Sequence, residues 1–365
     1  MKHHRGWRGL TALATLALFA TACGSSKSSS ESQTATTAAE SSATAGGAST
    51  ATDAVTAVTE AAVPVTAASS GSGGAEEVRL AVNPWTGSAV NAAVAKAVIE
   101  KAGLGTVSVV ELDENASWPA IASGDKVDGN LEVWPSGHAA DYDQYIKANK
   151  GVVDGGLLGP EAKIGWYVPQ FVIDEHPALK TWAGFEDPAN ASLFKTAESG
   201  DKGQFLMGDP SYVTYDEQII ANLKLPLKYV VAGSETSLIT AIQNAEADHK
   251  PLLLQFWKPH WLQSRVKLAE VKLPDFTDAC KASAAAADGK YACDYPIDKL
   301  YKVFNDKLAT KAPKSFAVLQ ALTLTTDQQS EIAAMIDGDG MTADAAAAKW
   351  VAANESVWKA WVPAA

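Results

Sequence analysis

The sequence predicts a two-lobed α/β fold, because segments typical of strands and of helices alternate along two separate stretches of the chain. The first series begins near residue 76 and the second near Gly165. Alternation of this kind is typical of mixed, mainly parallel sheets flanked by helices. The length of 365 residues and the hydrophobic content of 47% fit one or two globular domains. We therefore expect one sheet in each lobe and a ligand cleft between the lobes.

The first series contains three predicted strands and two predicted helices. Its strands are "VRLAV", "TVSVVEL" and "GNLEVW", and its second helix is the short segment "SWPAIASGD". In the first helix, "SAVNAAVAKAVIEKAG", Val90, Val94 and Val98 lie on one helical face, which predicts burial against a sheet. Gly103 is a typical residue at a helix end.

The second series repeats this order and is followed by a helical C-terminal part. After "GWYVPQFVI", it contains the strands "GQFLMG", "KYVVAG" and "PLLLQFW" and the helices "DEQIIANLKL" and "ETSLITAIQNAEA". From about Lys302 onward, the pattern predicts helices. In "AAKWVAANESVWKAWV", Trp350, Val357, Trp358 and Trp361 share one stripe, which is typical of core packing rather than of a binding site.

Residues 1–22 have the properties of a secretory signal peptide, with a basic start, "MKHHRGWRG", and a short apolar run before "ATA". The small residues directly before Cys23 resemble a bacterial lipobox. This resemblance implies that the Cys23 thiol is acylated and that Cys23 becomes the new N-terminus. Simple secretory cleavage near Ala22 is the alternative. Residues 23–75 are mostly Ser, Thr, Ala and Gly, a composition that predicts a disordered tether.

The charge of the chain argues against two classes of partner. The formal net charge is −12, and the sequence has no basic stripe. Neither nucleic acid nor an anionic lipid surface attracts such a chain. No segment after the signal peptide is long and apolar enough to span a bilayer. The lipid on Cys23 is therefore the only membrane attachment that we expect.

The two remaining cysteines, Cys280 and Cys293, flank the small polar segment "KASAAAADGKYA". In an exported protein this spacing favours a disulfide, which would stabilise the loop by about 3 kcal/mol. A zinc site is the alternative, but no further ligands occur at a suitable spacing. We therefore expect a disulfide and no metal site.

Four aromatic residues follow or end predicted strands, where open α/β sheets bind their ligands. They are Trp85, Trp134, Tyr212 and Trp257, two from each predicted lobe. A quaternary ammonium group has a positive charge but no N–H to donate, so aromatic ring faces suit it, with about 0.5–2 kcal/mol per contact. These positions therefore predict an aromatic cage that lobe closure completes. The alternative for each residue is simple core packing.

An anion site is predicted beside this cage. Thr214 and Glu217 form a capping-box pattern, and backbone N–H groups at such a helix start bind carboxylates. We expect these N–H groups at Val213 and Thr214. His138, four residues after Trp134, is expected to donate a further hydrogen bond or to carry charge. A cage with an anion site beside it fits a betaine.

The same residues carry a resemblance to the substrate-binding proteins of glycine betaine, proline betaine and choline ABC importers, over about residues 76–361. "SWPAIASGDKVDGNLEVWPSGH" resembles the family segment that ends in a cage residue and a histidine. "GDPSYVTYDE" is similar to the loop that supplies a second ring and backbone amides, and "LLLQFWKPHW" to the stretch whose first tryptophan closes the cage. Tyr212 stands where tryptophan is common, and the loop of Trp85 varies, so choline and carnitine are alternatives to glycine betaine.

This resemblance implies a periplasmic-binding-protein fold of type II, in which the chain crosses twice between the lobes. We expect crossings near Gly165 and Lys302, with residues 76–165 and 302–365 in lobe 1 and residues 166–301 in lobe 2. The resemblance also implies a monomer on the outer face of the cytoplasmic membrane that needs no cofactor. Such a protein delivers its ligand to an ABC permease driven by a cytoplasmic ATPase, for osmoprotection or for nutrition.

Two other classes of function fit the sequence less well. A hydrolase would need a catalytic motif, but neither G-x-S-x-G nor H-E-x-x-H occurs. The segment "DGDG" at residues 337–340 lacks the later ligands of a calcium loop. A surface adhesin would have lobes that never close on a small ligand.

Overall fold

The computed structural model describes residues 76–286 and 289–364. The predicted signal peptide, the predicted acylation of Cys23 and the predicted tether at residues 23–75 lie outside these ranges. In the described part, no helix has both the length and the apolar character needed to cross a bilayer.

The strands form two sheets, and their order in space differs from their order in the chain. The strands of the described residues are β1 (Glu76–Val82), β2 (Gly105–Glu111), β3 (Gly129–Val133), β4 (Val152–Pro169), β5 (Gly203–Met207), β6 (Leu227–Val231), β7 (Leu254–Lys258), β8 (Leu268–Val271) and β9 (Asp298–Asn305). The first sheet has the order β2-β1-β3-β9-β4, and the second has β4-β7-β5-β6 with β8 beside β4. We name the parts built on these sheets lobe 1 and lobe 2.

Each sheet mixes parallel and antiparallel pairs. In the first sheet, β1 is parallel to β2 and β3, whereas β9 runs antiparallel to β3 and β4. In the second sheet, β5 is parallel to β6 and β7, whereas β4 runs antiparallel to β7 and β8. The parallel pairs bring the carboxyl ends of β1, β3, β5 and β7 to the region between the lobes.

The long strand β4 belongs to both sheets. Its residues up to Ala162 pair with β9, and from Lys163 onward its residues pair with β7 and β8. The predicted crossing near Gly165 therefore falls inside β4. The chain returns to the first sheet at Asp298, so residues 298–301 pair in the first sheet although the sequence assigned them to lobe 2. Because β9 is antiparallel, the alternation of strands and helices does not reveal where it begins.

Helices cover both sheets. The α-helical segments of the described residues are α1 (Thr86–Lys101), α2 (Glu114–Ser123), α3 (Ala139–Asp141), α4 (Gln170–Glu175), α5 (Pro188–Ala191), α6 (Asp216–Asn222), α7 (Glu235–Asp248), α8 (Asp278–Ala286), α9 (Leu308–Lys311), α10 (Pro313–Ala321), α11 (Thr326–Ala333), α12 (Ala343–Ala353) and α13 (Glu355–Trp358). Val90, Val94 and Val98 of α1 are fully buried, which confirms the predicted apolar face. This face lets α1 pack between the first sheet and the C-terminal helices.

The C-terminal tryptophans belong to the core of lobe 1. Trp350, Trp358 and Trp361 are buried, and the rings of Trp350 and Trp361 stack with a centroid distance of 6.3 Å. The indole N–H of Trp358 donates a hydrogen bond to the main-chain oxygen of Val351. The prediction that this stripe packs in the core is confirmed, and Val357 packs at its edge.

A buried lysine connects β9 to the end of α10. The side chain of Lys302 is 0% exposed, and its Nζ donates hydrogen bonds of 2.7 Å to the main-chain oxygens of Gln320 and Leu322. Burial lowers the pKa of Lys302 to about 8. The lysine thus satisfies carbonyl groups at a helix end that would otherwise have no partner.

Cys280 and Cys293 form a disulfide in the structure, with a sequence separation of 13 residues. Close to Cys293, the ring of Tyr291 stacks on Tyr215 with a centroid distance of 4.2 Å. Tyr215 directly follows the loop that contains Tyr212. The disulfide-bonded segment therefore supports one side of the region between the lobes.

Candidate functional site

A cavity between the lobes is lined by the four aromatic residues that the sequence singles out. Trp85 and Trp134 follow β1 and β3 of lobe 1, whereas Tyr212 follows β5 and Trp257 lies in β7 of lobe 2. The ring of Tyr212 meets those of Trp85 and Trp257 edge to face, with a centroid distance of 5.9 Å in both pairs. The space between the lining atoms amounts to about 410 Å³, including the part that is open to solvent.

Tyr212 also links the two lobes directly. Its hydroxyl donates a hydrogen bond of 2.9 Å to the main-chain oxygen of Pro84. Burial raises the pKa of Tyr212, so the hydroxyl keeps the proton that this bond requires. A Cβ atom at Gly208 would lie 2.7 Å from the ring of Tyr212, so the absence of a side chain there makes room for this cage wall.

A buried carboxylate, Glu132, holds the two lobe 1 walls of the cage. Its Oε1 accepts hydrogen bonds from the indole N–H groups of Trp85 at 2.7 Å and of Trp134 at 3.1 Å. Its Oε2 accepts from Asn91 at 2.6 Å and from Gln329 at 2.9 Å. The residue is 3% exposed, and burial raises its pKa to about 7 although these four donors favour the ionised form. Glu132 therefore fixes the orientation of both indoles.

The position of Glu132 in the sequence indicates a functional residue, although the aromatic pattern does not include it. Glu132 lies two residues before Trp134 in β3, so both side chains point to the same face of the sheet. An acidic residue inside a fully buried strand is unusual unless it has partners. The partners of Glu132 come from distant parts of the chain, and the sequence pattern does not identify them.

A second carboxylate, Glu114, lies on the cavity wall at the start of α2. Its Oε1 accepts a hydrogen bond of 2.5 Å from the main-chain N–H of Val213, and its Oε2 lies 2.8 Å from Nε2 of His138. Nδ1 of His138 lies 2.9 Å from Asp141. Burial lowers the pKa of His138, but hydrogen bonds to Asp141 and Glu114 outweigh it and raise the pKa to about 9. The raised pKa favours the imidazolium at neutral pH, in which both ring nitrogens donate to carboxylates and the nearby indole N–H of Trp118 has no lone pair on Nδ1 to bind.

This arrangement corrects the predicted anion site. His138 is 1% exposed and lies behind Glu114, not on the cavity wall. The N–H of Val213, expected to bind a ligand carboxylate, already donates to Glu114. Thr214 lines the cavity, but α6 begins at Asp216 and its N-cap residue, Tyr215, makes no side-chain capping bond. The predicted capping box is therefore wrong, because Thr214 is not the N-cap residue of α6.

A third group of polar side chains joins the lobes beside the cage. Oε2 of Glu235 in lobe 2 accepts hydrogen bonds from the N–H of Thr86 at 2.6 Å and from its hydroxyl at 2.9 Å. Oε1 of Glu235 lies 3.1 Å from Nε2 of His260. Glu235, His260 and Asp337 each place one potential metal-binding side-chain atom within 4.8 Å of the other two, a spacing that would suit a metal ion. However, the N–H of Leu262 donates to Nδ1 of His260, so Nε2 carries the proton and donates to Glu235. These contacts act as a hydrogen-bonded link between the lobes.

The family model described as the substrate binding domain of the ABC-type glycine betaine transport system (OpuAC) matches residues 76–353. The chain is also 28% identical, over 279 residues, to the trimethylamine N-oxide-binding protein of Pelagibacter ubique (strain HTCC1062). That alignment covers 75% of this chain and 87% of the relative.

Two solved structures are similar to the described fold. The glycine betaine, L-proline ABC transporter binding protein (ProX) from Borrelia burgdorferi has a TM-score of 0.64 and 18% identity, with 79% of this chain and 97% of that chain covered. Lactococcal OpuAC, in its closed conformation with glycine betaine, has a TM-score of 0.61 and 20% identity, with 79% and 100% covered. These likenesses confirm the predicted fold class, a periplasmic-binding-protein fold of type II with mixed sheets flanked by helices.

Proposed function

The chain belongs to the OpuAC family of substrate-binding domains of ABC-type glycine betaine transport systems, and from this membership we propose that it captures a small quaternary ammonium solute in its aromatic cage. Members of this family are substrate-binding components of transport systems, not enzymes. The chain is accordingly the substrate-binding component of an ABC importer. The relative with 28% identity is described as binding trimethylamine N-oxide, which also carries three methyl groups on a nitrogen without an N–H.

The observation that supports this ligand class most strongly is the set of four rings around one cavity. Trp85, Trp134, Tyr212 and Trp257 line one cavity between the lobes. Each ring face attracts a cation by about 0.5–2 kcal/mol, and more where water is excluded. A trimethylammonium group cannot satisfy hydrogen-bond acceptors itself, so apolar ring faces are the contacts that it needs.

The cellular context of this function is also part of the proposal. We place lobe 1 at residues 76–162 and 298–364 and lobe 2 at residues 163–297, because these limits follow the strand pairing. The protein acts as a monomer outside the cytoplasmic membrane, where acylation of Cys23 holds it. It closes on its ligand and then docks on an ABC permease with a cytoplasmic ATPase. It needs no cofactor for this cycle.

Isothermal titration calorimetry with choline, glycine betaine and trimethylamine N-oxide tests the ligand class. We expect at least one of these solutes to bind, and Trp134→Ala or Trp257→Ala to weaken that binding by about 2 kcal/mol, or roughly thirtyfold in Kd. Trp358→Ala is the matched control, because Trp358 is buried in the core of lobe 1. It should lower the free energy of unfolding but leave Kd unchanged. Wild-type affinity in both cage variants would contradict the proposed site.

A further inference from the structure

We infer that Glu114 makes this cage selective for quaternary ammonium alcohols of net positive charge, such as choline, over solutes that carry their own carboxylate, such as glycine betaine. The inference rests on the proposed function and specifies the ligand of the same site. It reverses the preference that the sequence pattern favours.

The first argument is the charge of the cavity wall. Apart from the four rings, the wall consists of Glu114, Gly137, Ile164, Val213, Thr214 and Gln255. Glu114 is the charged member, and this described wall contains no lysine, arginine or histidine that would pair with a ligand carboxylate. A zwitterion would therefore bring its carboxylate into a site that offers negative charge but no positive charge.

The second argument is that one of the two main-chain amides expected to bind a ligand carboxylate, that of Val213, is already occupied. The N–H of Val213 donates to Oε1 of Glu114 at 2.5 Å. Glu114 thus has the position that the carboxylate of a bound betaine would need at this amide. A ligand carboxylate would have to displace Glu114 or lie against it as a like charge, and both are unfavourable.

The charge behind Glu114 does not cancel this effect. His138 is a cation, but it lies between two carboxylates, Glu114 and Asp141, and pairs with both of them. These three side chains together carry one net negative charge. Because His138 is buried and pairs with both carboxylates, it holds Glu114 in place. The carboxylate of Glu114 is therefore fixed before a ligand arrives.

The third argument is an acceptor in the cavity wall without a partner. Gln255 is 2% exposed, and its Oε1 has no hydrogen-bond partner among the described residues. Leaving a buried acceptor unsatisfied is unfavourable, so the site favours a ligand that can donate. Choline has a hydroxyl that donates, whereas the polar end of glycine betaine only accepts. Gln255 thus offers an acceptor for the hydroxyl of choline beside the negative charge of Glu114.

Calorimetric titration of the wild-type protein with choline, glycine betaine and tetramethylammonium gives the first test, and it requires no variant. Tetramethylammonium has the charged methyl groups but neither a hydroxyl nor a carboxylate, so it measures the cage alone. We expect choline to bind at least about tenfold more tightly than glycine betaine. Glycine betaine binding more tightly than choline would overturn the inference and leave the proposed function intact. Failure of every quaternary ammonium compound to bind would overturn both.

Two variants then separate the contributions of charge and hydroxyl. Glu114→Gln keeps an oxygen for the N–H of Val213 but removes the charge, so it should weaken choline and tetramethylammonium by roughly tenfold and leave glycine betaine unweakened. Gln255→Leu should weaken choline but not tetramethylammonium. Glu111→Gln is the matched control, because Glu111 is exposed at the end of β2 and does not line the cavity. An unchanged ratio of choline to glycine betaine affinity in Glu114→Gln would overturn the inference.

Discussion

Replacing Glu132 with glutamine should weaken ligand binding, whereas two opposing effects partly cancel in the stability of the fold. Glu132 accepts four N–H hydrogen bonds, two of them from the indoles of Trp85 and Trp134. Glutamine offers one oxygen and one NH2 group in the same space. As long as the side-chain amides of Asn91 and Gln329 keep their orientation, one pair of N–H donors faces another N–H group and loses its acceptor. The indoles also lose a negative charge that strengthens the attraction of their rings for a cation.

Two opposing effects determine the change in stability. A buried N–H without an acceptor costs about 1–3 kcal/mol, so the lost pair costs about 2–6 kcal/mol. In the other direction, the pKa of Glu132 is raised from 4.5 to about 7, which corresponds to a cost of about 3 kcal/mol for keeping the ionised group in the folded protein. Glutamine removes that cost, so the net loss of stability is at most about 3 kcal/mol. Binding has no such compensation, and we expect a loss of about 1–2 kcal/mol, or roughly five- to thirtyfold in Kd.

The pH dependence provides a sharper test of the same residue. Because the folded pKa of about 7 lies above the ordinary value of 4.5, the folded protein holds a proton that the unfolded chain has lost between these values. The contribution of Glu132 to the free energy of unfolding is therefore complete below pH 4.5 and is lost as pH rises to about 7. A bound cation favours the ionised form, so ligand affinity should rise with pH through about 7.

Urea unfolding and calorimetric titration between about pH 5 and pH 8.5 measure both quantities in the wild type and in Glu132→Gln. The difference between the two proteins isolates Glu132 from other groups that titrate in this range. Glu161→Gln is a suitable control, because Glu161 lies exposed on β4 and forms only an exposed ion pair of 3.7 Å with Lys299. If Glu132→Gln kept the wild-type Kd and the wild-type pH profile, the carboxylate would not support the cage and the reasoning would be refuted.

Two further predictions concern stability away from the cage. Replacing Cys280 and Cys293 with serine should lower the free energy of unfolding in urea by about 3 kcal/mol and leave Kd unchanged, because the loop is of moderate length; unchanged stability would contradict a bonded pair. Lys302→Met should remove a pH dependence, because the unfolded chain binds more protons than the folded protein between the folded pKa of about 8 and the ordinary value of 10.5. Wild-type stability should therefore rise by about 3 kcal/mol across this range, and an equally steep rise in Lys302→Met would show that another group causes it.

The cage walls were predictable from the sequence because they depend on a local rule. A strand in an open α/β sheet presents its ligand-binding residues at its carboxyl end, so Trp85, Trp134 and Tyr212 could be located from the strand pattern alone. The apolar face of α1 was predictable for the same reason, since a helical repeat is visible within one segment. Both features are encoded within a few residues of the positions that they identify.

The polar part of the site was not predictable in this way. Glu114 and Val213 are 99 residues apart, and Thr86 and Glu235 are 149 residues apart, so no local pattern connects them. His138 is close to Trp134 in sequence, but a turn after Trp134 carries it behind the wall, where it binds Glu114 instead of lining the cavity. Because His138 is close to Trp134 in the sequence, it was expected to contact the ligand. In the fold, His138 instead supports Glu114.

The contacts between the lobes connect ligand choice to closure. Lobe 1 contributes Glu114 and lobe 2 contributes the N–H of Val213, so the hydrogen bond between them exists only when the lobes are together. Two further bonds, from Tyr212 to the main chain of Pro84 and from the main chain of Thr86 to Glu235, join the lobes on either side of Trp85. A carboxylate-bearing solute would compete with Glu114 for Val213 and thereby remove one of these closing bonds. A cation without a carboxylate leaves all of them intact, so the closed state itself discriminates between the two classes of ligand.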